Sequence, residues 1–216
     1  MNKFETIYDS GWVANYKPAE NKSSSKLLIM LHGWTGDENS MGVFIKGLNS
    51  DFHIIAPRAP FDAIPSGYSW IIPVRDGEFP DWSIFLPTAS RFLEQINSWL
   101  NLISIATMTK PILLGFSQGA AMALVLGISY PTNFSRVAAI SGFLPKGYVI
   151  SSSPSFLPDF YIAHGTNDTI VPVENSWQTV SYLNQLGANV IYCESDAKHR
   201  MSLKCLPGLM AFLQPS

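Results

Sequence analysis

The chain has 216 residues, 47% of them hydrophobic and 14% charged, enough apolar material for one compact globular domain spanning 1–216. Its 14 basic and 16 acidic residues leave a formal net charge of -2. A nucleic-acid partner is therefore not expected, because phosphate binding needs a concentrated Lys/Arg surface.

Apolar runs of strand length alternate with segments at helical spacing. Lys26–Leu31 (KLLIML) reads as a buried strand, followed by a helix over Met41–Leu48 and a short strand over Phe52–Ala56. Ser23–Ser25 reads as a hairpin loop between an N-terminal edge strand and KLLIML. Residues 57–87 hold six prolines and the aromatics Phe61, Tyr68, Trp70, Phe79, Trp82 and Phe85. A loop of that length in a compact domain is functional or disordered, and its aromatics argue against disorder. Thr88–Ala106 has apolar residues at helical spacing (Phe92, Leu93, Ile96, Trp99, Leu100, Ile103). A strand over Pro111–Gly115 and a small-residue helix over Gly119–Tyr130 follow, then strands over Arg136–Ile140 and Phe160–His164. A helix over Val173–Leu186, a strand over Val190–Glu194 and a helix over Leu203–Leu213 complete the pattern. Strands that are continuously apolar are covered on both faces, so the expected fold is α/β, a mostly parallel doubly wound sheet between helices with no large cap.

No apolar run approaches the roughly 18 residues of a membrane span, and MNKFETIYDSGW has no apolar core of signal-peptide length. A cytoplasmic protein is expected, with Cys193 and Cys205 as buried free thiols rather than a disulfide. The four histidines are scattered and no CxxC occurs, so neither a metal nor a cofactor is expected.

The stretch 114-LGFSQGAAMALVLG-127 carries the chemistry. Gly115-Phe116-Ser117-Gln118-Gly119 is a G-x-S-x-G between a strand and a helix, a turn that projects a serine hydroxyl above the carboxyl edge of a sheet while glycines admit neighbouring backbone. Read blandly, Ser117 is a helix N-cap in a glycine-rich turn. As a nucleophile it needs a base and an orienting carboxylate, and in an open α/β sheet these gather beyond the carboxyl ends of strands. His199, in the loop after the strand ending near Glu194, is the best base. His53 lies at the wrong edge, His32 belongs to the first strand's turn, and His164 reads as turn packing. Asp168, in the turn GTND, is the best acid, with Asp196 the runner-up; as a bland alternative Asp168 forms an Asx turn. Backbone N–H groups of Gln118 and of Trp34, in the turn 32-HGWTG-36, are the expected oxyanion donors.

With these residues in view, the chain resembles the phospholipase/carboxylesterase family of α/β hydrolases, small serine esterases that include the acyl-protein thioesterases. The matching stretches are 31-LHGWTGDE-38, 56-APRAP-60, 114-LGFSQGAAMAL-124, 141-SGFLP-145, 164-HGTNDTIVP-172 and His199. The order Ser117, Asp168, His199 is the α/β-hydrolase order. The resemblance implies those three as a triad, with the Trp34 and Gln118 amides as oxyanion donors. One departure is Lys198, where members commonly carry glycine before the histidine; another is PSGYSWIIPVRDGEFPDW, which is only loosely family-like. The expected activity is hydrolysis of short-to-medium acyl or aromatic esters through an acyl-enzyme, with Trp34, Tyr68, Trp70, Phe143, Leu144, Ile170 and Val171 walling the pocket, although each could equally be core. The alternatives are an acyl-protein thioesterase or lysophospholipase-type hydrolase, and a small-ligand receptor on the same fold. The expected partner is a small-molecule ester, and the sequence leaves room for a homodimer.

Overall fold

The computed structural model describes residues 4–20, 25–48, 50–72, 79–102, 110–148 and 156–214. An N-terminal hairpin opens the fold: β1 (Glu5–Asp9) and β2 (Trp12–Lys17) pair antiparallel through a turn at Ser10 and Gly11, both with positive φ. Two turn residues with φ above zero give the twist that matches a right-handed hairpin. β3 (Lys26–Leu31) and β4 (Phe52–Pro57) follow, then β5 (Phe61–Asp62), β6 (Tyr68–Ser69) and helix α1 (Trp82–Leu102). The remainder alternates: β7 (Ile112–Phe116), α2 (Gln118–Ser129), β8 (Arg136–Ile140), β9 (Asp159–Gly165), α3 (Glu174–Gln185), β10 (Val190–Ser195) and α4 (Leu206–Leu213).

Eight strands form one sheet in the order β1-β2-β4-β3-β7-β8-β9-β10, parallel from β4 onward, with β2 antiparallel to β4. Strand and helix side chains divide into two cores, one per face. On one face α1 and α2 pack over the sheet with Phe92, Trp99, Leu124 and Phe160, and Leu183 of α3 joins them. On the other, Met41 and Phe44 of a short 3-10 segment (Ser40–Ile45) join Leu209, Phe212 and Leu213 of α4. α2 is buried continuously from Gly119 to Ile128, as a helix apolar on every side must be. This is the α/β-hydrolase architecture, and no separate cap stands over it among the described residues.

Several expectations change. The segment after β3 is a 3-10 turn of six residues rather than a helix to Leu48. The hairpin lies at residues 10–11, and β2 pairs with β4, not with β3; residues 23 and 24 lie outside the described residues. α1 begins six residues earlier than its periodicity suggested and carries Pro87 in its second turn; Ile103 to Ala106 lie outside the described residues. Proline in a helix interior removes one backbone hydrogen bond, which is why a sequence reading starts the helix after it. Cys193 and Cys205 form a disulfide rather than two free thiols. The strand β10 and the residue before α4 fall side by side in space, a proximity that composition does not reveal.

Candidate active site

β7 ends at Phe116, and the chain turns so sharply into α2 that Ser117 adopts φ 53 and ψ -118, a region that side chains other than glycine rarely occupy. The two glycines of the motif have steric jobs. A Cβ on Gly115 would sit 2.2 Å from the Gly119 carbonyl oxygen, and one on Gly119 would sit 2.2 Å from that of Leu31. Strand, turn and helix therefore close to backbone contact, and the serine is left at the crest. Thr35 (φ 66) and Ser141 (φ 49) are also in the left-handed region, so three of the four such non-glycine residues described lie at this edge of the sheet.

Two other turns meet Ser117. His199 Nε2 lies 3.0 Å from Ser117 Oγ, and His199 Nδ1 lies 2.7 Å from Asp168 Oδ2. A carboxylate only accepts, so Nδ1 carries the proton, and the unprotonated Nε2 accepts from the serine hydroxyl. Asp168, buried at 6% exposure, accepts on Oδ1 from the backbone N–H groups of Ile170 and Val171, both at 2.9 Å. These bonds form the Asx turn of the bland reading, and they also fix the other oxygen toward the imidazole. His164 Nε2 donates to the Val171 carbonyl at 2.8 Å and stands 3.4 Å from Asp168 Oδ2, so it braces this turn. Burial lowers its pKa and keeps it neutral, with Nδ1 buried and unpartnered among the described residues. Asp196, the other candidate acid, is exposed and bonds Asn167 instead. His53 stacks on and bonds Tyr16, away from this edge. Lys198 is exposed, its φ is not in the left-handed region, and its carbonyl accepts from Arg200 N–H at 2.7 Å; no glycine is needed there.

The turn after β3 abuts Ser117, since a Cβ on Gly33 would come within 3.3 Å of Ser117 Cβ. His32, its pKa lowered by burial, shapes that turn: Nδ1 donates to the Gly33 carbonyl at 2.7 Å and Nε2 accepts from Ala59 N–H at 3.0 Å. Thr35 N–H donates to Tyr68 and Gly36 N–H to Gly33, whereas the N–H groups of Trp34 and Gln118 have no acceptor among the described residues. Gln118 opens α2, so its N–H lacks an intrahelical partner. Its side chain reaches outward, where Oε1 accepts from Trp70 N–H at 2.9 Å. Sequence reasoning missed this clamp, which ties the aromatic loop to the turn at Ser117.

The pocket residues divide. Trp34 and Ile170 are exposed and Tyr68 and Leu144 half-buried, but Trp70, Phe143 and Val171 are buried at 0%, 5% and 3%. Trp70 is core: its ring packs on His32 and Phe92, and its Nε1–H donates to the His32 carbonyl at 2.8 Å. A cavity of about 420 Å³ lies on the side of the 3-10 turn, lined by Trp34 of the expected wall and by Met41, Val43, Phe44, Phe116, Arg200 and Met201 among others. Met41 and Phe44 had no motif to mark them, since an amphipathic turn looks like core.

A strained serine, an imidazole and a buried carboxylate in hydrogen-bonded sequence form an arrangement able to generate an oxygen nucleophile without a metal ligand set. The sequence profile described as phospholipase/carboxylesterase matches residues 18–215. The chain belongs to this family. As a phospholipase/carboxylesterase member it is a carboxylic ester hydrolase of the α/β-hydrolase type. Acyl-protein thioesterase 1 of Schizosaccharomyces pombe is 30% identical to it over 205 residues, covering 87% of this chain and 89% of that protein. The enzyme of the same name from Emericella nidulans is 27% identical over 190 residues, covering 77% and 79%. Among solved structures, esterase PE8 is 26% identical with a TM-score of 0.73, covering 92% of this chain and 95% of that one. The carboxylesterase of Bacillus cereus, at 17% identity, shares the fold with a TM-score of 0.81 over 94% and 93%.

Proposed function

We propose that the protein is a serine carboxylesterase in which Ser117, His199 and Asp168 are the catalytic triad. The observation that carries this reading is the pair of short contacts, 3.0 Å and 2.7 Å, that link the three side chains in one line. His199 takes the Ser117 proton as the serine attacks an ester carbonyl. The Trp34 and Gln118 amides hold the oxyanion, each such donor being worth about 100- to 1000-fold in rate. His199 then protonates the leaving alcohol, and a second cycle with water frees the acid. Ser117→Ala should lower p-nitrophenyl ester hydrolysis by about 10⁴-fold or more while circular dichroism stays native. Turnover that survives the change would defeat the assignment.

The substrates are short-to-medium acyl or aromatic esters, with Tyr68, Leu144 and Ile170, the exposed or half-buried members of the expected pocket wall, meeting the acyl group. A rate series from acetyl to palmitoyl esters should peak below lauroyl, and a peak at lauroyl or beyond overturns the preference. A second reading, thioesterase action on acylated proteins, is favoured by relatives that are named acyl-protein thioesterase 1; matched thioester and oxyester substrates separate the two. A receptor without turnover would leave Ser117 unlabelled by a fluorophosphonate probe.

No described helix is long and apolar enough to cross a membrane. Cytoplasmic residence, as read from the sequence, stands against the Cys193–Cys205 bridge, because such bridges persist in oxidising compartments. Alkylation of the protein during lysis decides between them, with two blocked thiols marking a reducing compartment.

A further inference from the structure

The cavity of about 420 Å³ lies between the turn after β3 and the two residues that follow His199. Its walls are apolar, with Met41, Phe44, Phe116 and Met201 among them, and Arg200 is the one charged side chain in the lining. Arg200 is exposed, and among the described residues its guanidinium has no hydrogen bond or ion pair; only its backbone N–H is engaged, by the Lys198 carbonyl. The acids of the opposing turn are engaged elsewhere, Asp37 by Ser40 and Asn39 and Glu38 by Arg58. An arginine fork matches carboxylate and phosphate in shape, and a cation at the rim of an apolar wall is screened less than one on open surface.

The cavity's position relative to the imidazole decides which part of an ester it receives. Phe116 lines the cavity and packs on the His199 ring at 5.0 Å, and Arg200 and Met201 follow that ring in the chain. In the first half-reaction the Ser117 Oγ–C bond forms and the C–O bond to the alcohol breaks. The serine proton passes through His199 Nε2 to the departing oxygen, so the alcohol leaves against the imidazole. We propose that this cavity holds the alcohol portion of the ester and that Arg200 selects alcohols whose apolar body ends in an anion, a carboxylate or a phosphate. The proposal rests on the triad reading above and deepens it by naming the leaving group.

Four esters test it: phenyl butyrate, its 4-carboxy and 4-phosphate derivatives, and phenyl hemisuccinate, which carries its charge on the acyl side. Ratios of kcat/KM within each enzyme cancel damage common to all substrates. In the wild type the anionic phenols should be favoured over phenyl butyrate by about tenfold at low salt, as one charge-assisted contact allows. The preference should fall to about one- to twofold in Arg200→Gln, invert in Arg200→Glu, and shrink in about 0.5 M NaCl, where screening reaches a few Å. The carboxylate and phosphate arms identify the preferred anion. Ratios that are the same in wild type and Arg200→Gln overturn the proposal, as does a preference for the hemisuccinate. The rate of Ser117 labelling by a neutral fluorophosphonate shows whether the variants have disturbed His199. Should no ester turn over, the triad reading fails, and calorimetry with 4-hydroxybenzoate against phenol still decides. Tighter binding of the anion, lost in Arg200→Gln, supports the site; equal binding of both removes it.

Discussion

Ser117 holds backbone strain where the reaction is proposed to occur. With φ 53 and ψ -118 it occupies a conformation natural to glycine, at a cost of about 1–3 kcal/mol for other residues. Ser117→Gly should therefore raise the unfolding free energy by about 1 kcal/mol or more while abolishing turnover, whereas Ser117→Ala keeps the strain and gains nothing. Thermal melts of the two variants side by side check this. Gln118 offers a second contrast. Its side chain satisfies the Trp70 N–H, and Gln118→Ala leaves that group without its partner. The loss should be about 1–3 kcal/mol, with a fall in kcat as the aromatic loop loosens over the turn at Ser117. His32 and His164 set a pH dependence. Both are buried and have pKa values lowered from the ordinary histidine value, so below about pH 6.5 the unfolded chain takes up protons that the folded chain refuses. Their contribution to stability is present above that pH and lost as the pH falls from it toward the folded-state values. Melting temperature should decline through that window, and His164→Gln should decline less steeply.

At the level of elements, the segment between β10 and α4 is held at both ends. The Cys193–Cys205 bridge spans 12 residues and brackets His199. Tyr161 OH donates to the Cys205 carbonyl at 2.7 Å, a burial that pushes the phenol up to about 12. Closing a loop of this length is worth about 3 kcal/mol, so reduction, or Cys193→Ala with Cys205→Ala, should lower the melting temperature by about 6–12 °C. An unchanged midpoint under reductant would mean that the bridge contributes no restraint. The segment between β4 and α1 is held by different means. Gly67, at φ 79, lies so near the Thr35 carbonyl that a Cβ would come within 2.0 Å of its oxygen. That approach lets Tyr68 exchange backbone hydrogen bonds with Thr35 and Gly36 at 3.0 and 2.9 Å, pinning the aromatic loop to the turn expected to donate to the oxyanion.

At the scale of the whole molecule, two cores share one sheet, and the described strands run unbroken between them. We expect the chain to unfold as one domain, with near- and far-ultraviolet circular dichroism losing signal together; separate transitions would divide the molecule. The aromatic cluster of Trp12, Trp70, Phe92 and Trp99 anchors the face under α1. Trp99→Ala should cost about 3–5 kcal/mol, and Trp99→Phe much less, because among the described residues the Trp99 Nε1–H is buried without an acceptor and its removal offsets part of the lost volume.

The alternation of continuously apolar strands and helical periods was enough to specify a mostly parallel sheet, since period and apolarity are local properties of the chain. So was the position of the serine turn, because G-x-S-x-G is a local steric solution and its glycines are legible without coordinates. Strand ends favour Asp168 over Asp196 as the partner of His199, and Asp168 is the one within hydrogen-bond distance of it. Other features needed the packed molecule. Cys193 meeting Cys205, Gln118 clasping Trp70, the core burial of Trp70 and Phe143, and the cavity between Phe44 and Arg200 all join residues distant in sequence. Nothing in the composition of either partner announces such meetings; they exist only once the sheet has fixed where each turn ends.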